Sequence, residues 1–107
     1  VRLHERQIQD PYFYHMDFDW LDVSFDLTPV PPKDIEESFE DPFSLKLLPD
    51  EPGESLAARY YCLGKSLGGR PIFSVFWTDG KRYRVIFARE MTASETEFFE
   101  RKKAEEL

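Results

Sequence analysis

The chain has one cysteine, two histidines and five glycines in 107 residues, and its apolar runs are only a few residues long. Each shortage excludes a class of protein. Cys62 alone cannot form an internal disulfide and fits a reducing compartment, and in a β-rich run it reads as a small buried apolar side chain. His4 and His15 lie in an irregular N-terminal stretch, too few for a zinc-type site and too remote for a Ser–His–Asp arrangement. No metal and no cofactor is therefore expected. The short apolar runs exclude a membrane-spanning helix, and the N-terminus lacks the basic-then-apolar order of a signal peptide. A cytoplasmic location with no membrane partner is the expectation. Asp17, Asp19, Asp22 and Asp26 lack the spacing and glycine of a calcium loop, and read as the solvated side of a strand. Gly64-Lys65-Ser66 echoes the end of a phosphate-binding loop, but Arg59 stands where the first glycine belongs and no helix follows. There is no internal repeat and no low-complexity tract.

What the chain has is aromatic mass and an uneven charge. Ten Phe, five Tyr and two Trp give enough apolar area for one folded domain with a real core. The net charge is −7. Residues 1–57 carry 14 acidic and 4 basic side chains, whereas residues 58–89 carry seven basic side chains against Asp79 alone. A polyanion responds to local potential, because charges beyond roughly 8–10 Å are screened in physiological salt.

The period-two patterns predict strands at 16–27 (with one slip of phase), 43–48, 58–65, 70–78 and 81–89. Helices are predicted at 32–40, opened by Pro32 in the first helical position, and at 94–106, opened by a Thr92/Glu95 capping box. The fold class is α+β: a twisted antiparallel sheet of about four or five strands with two or three helices. Asp79-Gly80 between two β-rich runs predicts a two-residue hairpin turn. That register sets Thr78 against Lys81, Phe76 against Tyr83 and Arg70 against Arg89. One solvated face then carries Arg59, Tyr61, Lys65, Arg70, Ser74, Thr78, Lys81, Tyr83 and Arg89, while Trp77, Val75 and Phe73 lie on the core face with Arg82 and Arg84. Guanidinium groups can hold phosphates bidentately and Tyr can stack on a base, so such a face suits RNA.

Several short segments, in order, resemble the BrnT family. They are Phe18-Asp19-Trp20, Phe39-Glu40-Asp41-Pro42, Arg59-Tyr60, Gly64-Lys65-Ser66, Gly69-Arg70, Arg84-Val85-Ile86-Phe87-Ala88-Arg89, Met91-Thr92 and Phe99-Glu100. The resemblance runs from Phe18 to about Glu100 and divides the chain into an N-terminal extension, 1–15, and a BrnT-like domain, 16–107. It implies a RelE-like fold and the toxin half of a type II toxin–antitoxin pair. Such a toxin is a metal-independent endoribonuclease inhibited by a cognate antitoxin, of ribbon-helix-helix type in this family. Arg59, Lys65, Arg84 and Arg89 are then the catalytic candidates. Arg70, Thr78, Lys81, Arg82 and Tyr83 are the RNA-binding ones. The family's Lys-His-Gly segment after the Trp is missing here, and Phe99 replaces a usual Tyr, so no general base can be named. The alternative is a catalytically inactive BrnT-like relative that binds a protein through the same face.

Overall fold

The computed structural model describes residues 17–48 and 59–106. The elements run β1 (Asp17–Phe18), α1 (Pro32–Glu40), β2 (Leu45–Leu47), β3 (Tyr60–Lys65), β4 (Pro71–Thr78), β5 (Arg82–Glu90) and α2 (Ala93–Glu106). They build an α+β fold with one five-stranded sheet in the order β1-β5-β4-β3-β2. The neighbours from β2 to β5 are antiparallel, while β1 joins β5 in parallel. His4, His15 and the expected extension lie outside the described residues. No helix among the described residues is long and apolar enough to cross a membrane.

Helix α1 forms as its sequence demands. Pro32 occupies the first turn and Pro31 enters it extended, so the fixed proline φ is already helical and the missing amide is not needed. Ile35 and Phe39, four residues apart, are fully buried on one face. The helix ends at Asp41, before Pro42. The Asp41 carboxylate accepts the amides of Phe43 and, from β3, Lys65. Gly64 lets α1 lie directly on β3: a Cβ there would sit 2.0 Å from the Ser38 carbonyl oxygen.

The expected strand 16–27 is much shorter. Among its described residues, only Asp17 and Phe18 are paired. Asp19 and Asp26 each accept the amide two residues onward, at Leu21 and Thr28, and Asp22 takes a left-handed φ of 56°. Short acidic side chains offer the backbone a turn in place of a ladder, which ends the extended run. Phe25 and Leu27 still pack against the core, with Val30 buried within it. Two apolar layers result. Under α1 lie Cys62, Ile72, Phe76, Tyr83 and Val85. On the opposite sheet face lie Leu45, Leu47, Leu63 and Phe73, with Phe99 of α2.

The hairpin register also differs from expectation. Asp79 Oδ1 accepts the amides of both Lys81 and Arg82, and the Gly80 amide donates to the Thr78 hydroxyl. This wider connection pairs Thr78 with Tyr83, not with Lys81. Farther along, a bulge between Val75 and Phe76 shifts the register again. An extra residue in one strand sends everything after it to the other face. Arg89 consequently pairs with Phe73, and Glu90 with Ile72.

Candidate nucleic-acid interface

Register and burial redistribute the candidate residues over the two sheet faces. On β4 and the first half of β5, the face expected to be solvated is core. Tyr83 is 3% exposed and Ser74 is fully buried, both on the side that α1 covers. Thr78 shares that side at the hairpin end, its hydroxyl engaged by the Gly80 amide. Tyr83 therefore has a packing role, against Phe18 and Phe76 at ring-centroid distances of 5.8 and 5.9 Å. The expected single cationic face is corrected accordingly.

Three of the proposed cations hold the fold together. Arg70 donates from Nε to Glu90 at 2.7 Å, from one terminal nitrogen to Asp34 of α1 at 3.1 Å, and from the other to the Pro29 carbonyl. Its already high pKa is raised further by Glu90 and then Asp34. It does not face Arg89 across the sheet. Arg89 grips Glu95 with both terminal nitrogens, at 2.7 and 2.9 Å, and lies 4.3 Å above the Phe73 ring. Glu95 also accepts the Thr92 amide while Thr92 caps the Glu95 amide, so the expected capping box is present. Burial opposes the charge on Glu95, but the Arg89 fork and the Thr92 amide outweigh it, and its pKa falls below the ordinary value. Lys65 meets Glu100 of α2 at 2.5 Å and sits over the Phe99 ring. Lys65 and Arg89 thus dock α2 on the sheet.

Helix α2 occupies only one end of its sheet face. Phe99 packs with Leu63 and Phe73, the row nearest the helix. The next row is Leu47, Tyr61, Val75 and Phe87, paired strand to strand. Beyond it, Trp77 pairs with Arg84, and continuing the β3 register brings Arg59 beside Trp77. No described helix lies over this last row. Trp77 is half-buried and packs in neither apolar layer among the described residues, and Phe87 is 41% exposed, with its ring 6.1 Å from that of Phe25. Arg59, Lys81, Arg82 and Arg84 are exposed around them. Arg84 donates to Asp19 at 2.9 Å. That contact first, and the Leu21 amide second, holds the Asp19 carboxyl below its ordinary pKa. Asp17, Asp19, Trp20, Leu21 and Arg82 line a groove of about 470 Å³ beside this end of the sheet.

Arg59, Lys81, Arg82 and Arg84 are thus gathered at one end of the second face, whereas Thr78 and Tyr83 lie on the face that α1 covers and Lys65, Arg70 and Arg89 are engaged farther along the sheet. Trp77 and Phe87 complete the surface. Sequence reasoning missed them because it took the whole Trp77 face as covered by a helix, and because the bulge that carries Phe87 to that face has no periodic signal. Stacked aromatic faces bordered by guanidinium groups can take up successive bases while the cations meet the phosphates. Cys62 is fully buried, and burial pushes its thiol up to about 11, so it offers no nucleophile at neutral pH. Neither a scan against protein-family models nor a search of curated proteins finds a match to the chain.

Proposed function

We propose that this chain is a BrnT-like domain that takes single-stranded RNA on the open end of its second sheet face, as the toxin component of a type II toxin–antitoxin pair. The observation that carries the reading is the row Arg59, Trp77, Arg84, with Phe87 and Tyr61 alongside and no described helix above. Aromatic residues give a sequence-tolerant stacking surface, and the flanking guanidiniums suit phosphates. Metal-independent cleavage there would use the RNA's own 2′-hydroxyl as nucleophile, with Arg59 and Arg84 stabilising the charge that builds on the phosphate. The P–O2′ bond forms as the P–O5′ bond breaks, solvent takes the 2′ proton and protonates the departing 5′-oxygen, and a 2′,3′-cyclic phosphate and a 5′-hydroxyl result. The resemblance supplies the toxin role, and the surface supplies the RNA.

A second reading rests on a different observation. Lys65, Arg70 and Arg89 each end on a carboxylate of this same chain, as befits a scaffold kept for binding a protein without cutting RNA. Two measurements separate the readings. In the first, a short fluorescein-labelled oligouridine is titrated into the full chain. Trp77→Ala is expected to weaken binding about tenfold, with the unfolding midpoint lowered but the chain still folded under the conditions of the titration. In the second, the chain is expressed without its neighbouring gene. Growth arrest with RNA cleavage supports the toxin; harmless expression with capture of a small partner, and no RNA binding, supports the protein-binding module.

A further inference from the structure

The open face carries its own anion. Asp19 leaves the edge strand on the same side as Arg84 and meets one terminal nitrogen of that guanidinium at 2.9 Å. The two partners are unequal. Asp19 is fixed: its side chain is 17% exposed, its amide donates to the Tyr83 carbonyl at 2.9 Å, and its Oδ1 accepts the Leu21 amide at 3.0 Å. Its neighbours anchor it as well. Phe18 and Trp20 stack at 5.8 Å, and the Trp20 indole donates to Glu36 of α1 at 2.8 Å. Arg84, by contrast, has a side chain 55% exposed. It can leave Asp19 without disturbing a packed element. The Arg89–Glu95 fork is of another kind, two-pronged with Glu95 buried beneath α2.

Building on the reading of this face as an RNA surface, we infer that Asp19 is a built-in competitor for phosphate at Arg84. Its carboxylate occupies the guanidinium in the free protein, and an incoming phosphate must displace it. The exchange is favourable because a phosphate can take two donors of the fork where Asp19 takes one. Binding is weakened by the fraction of molecules in which Arg84 is occupied. Asp17, opposite Arg82 in the β1–β5 register, lies on the same side but makes no ion pair among the described residues. Asp19 thus sets the affinity of the face, holding an acidic protein to RNA whose backbone offers a well-placed phosphate.

The test is a fluorescence-anisotropy titration of the full chain with labelled oligouridine at several salt concentrations. Asp19→Asn keeps the Oδ1 acceptor for the Leu21 amide and removes the charge. It is expected to tighten binding by about fivefold, the upper range for an exposed ion pair. The slope of log K against log salt should change by less than the roughly 0.7 of one phosphate contact, because Arg84 meets phosphate in both complexes. Asp17→Asn makes the same change in net charge and is expected to tighten binding less, with the slope unchanged. Adding Arg84→Gln to Asp19→Asn should erase the gain. Should Asp19→Asn lower the unfolding midpoint, Asp19→Ser provides the same readout. Unchanged or weaker binding by both Asp19 variants, with Trp77→Ala still impaired, overturns the competitor and leaves the RNA surface standing. No binding by the wild type or by either Asp19 variant at low salt removes both.

Discussion

The two ends of one sheet face hold the same kinds of residue and use them differently. At the end beneath α2, Lys65 and Arg89 face Glu100 and Glu95, and Arg89 lies on Phe73. At the other end, Arg59, Lys81 and Arg82 stand exposed around Trp77 and Phe87. A helix that brings its own carboxylates turns cations into clamps, whereas a row that no described helix covers leaves its exposed cations to solvent or to a ligand. Composition counts both sets alike, so a basic stretch of chain is not yet a basic site.

The largest expected effect lies on the opposite sheet face, beneath α1, and tests whether the comparison survives a loss of stability that touches neither end. Gly64→Ala forces a Cβ to 2.0 Å from the Ser38 carbonyl, a backbone atom of α1 that cannot turn aside. Overpacking of this kind is expected to cost about 3 kcal/mol, read as a loss of urea midpoint. RNA binding should fail only in the fraction of molecules that unfolds.

Glu95→Ala is the next largest. It removes half of the capping box and leaves Arg89 without its carboxylate beneath α2. The cost is expected to be about 2 kcal/mol, below the full penalty for a buried pair because the Arg89 side chain is 32% exposed. The pH dependence follows from the lowered Glu95 pKa. A carboxylate whose folded pKa is depressed contributes stability above its unfolded pKa, near 4.5, and loses it as pH falls through the folded value. Glu95→Gln should therefore flatten the acid limb of stability below about pH 4.5 and matter most at neutral pH. Charge reversal at Arg89, by the same contacts, is a stability experiment and not a probe of RNA.

Much of the fold was legible because local rules and burial agreed. Pro32, the Ile35/Phe39 spacing and the Thr92/Glu95 capping box placed both helices, and alternation placed β3, β4 and β5. Register was not legible. It turned on the Asp79 side chain accepting two amides and on one extra residue in β5, neither of which has a periodic signature. The turn shifts the pairing by two residues and leaves Tyr83 and Ser74 on the face they share with Phe76, which α1 covers, whereas the bulge carries Phe87 and Arg89 to the other face and puts Arg89 opposite Phe73. The ion pairs were hidden for another reason. Arg70 finds Asp34 and Lys65 finds Glu100 across more than thirty positions of chain, and only tertiary packing brings them together. Four of the nine candidates do lie together, Lys81, Arg82 and Arg84 because exposed hairpin cations need little more than the hairpin, and Arg59 because the β3 register brings it beside Trp77.

The smallest expected effect gives the sharpest boundary between the two ends. Lys65 and Lys81 both belong to the basic stretch of chain, but Lys65 reaches Glu100 and holds its carboxyl below the ordinary pKa, whereas Lys81 is exposed at the hairpin tip. Lys81→Ser should weaken oligouridine binding about twofold and lower the salt slope by about 0.7, since one phosphate contact is lost. The unfolding midpoint should not move, because an exposed turn position carries little packing. Lys65→Ser should do the reverse, lowering the midpoint slightly through the loss of an exposed ion pair and leaving the salt slope alone. Equal changes of slope in the two variants would mean that RNA senses the general charge of the stretch and that α2 does not divide the face. Opposite responses would mean that the division made by Glu95 and Glu100 is what separates clamp from contact.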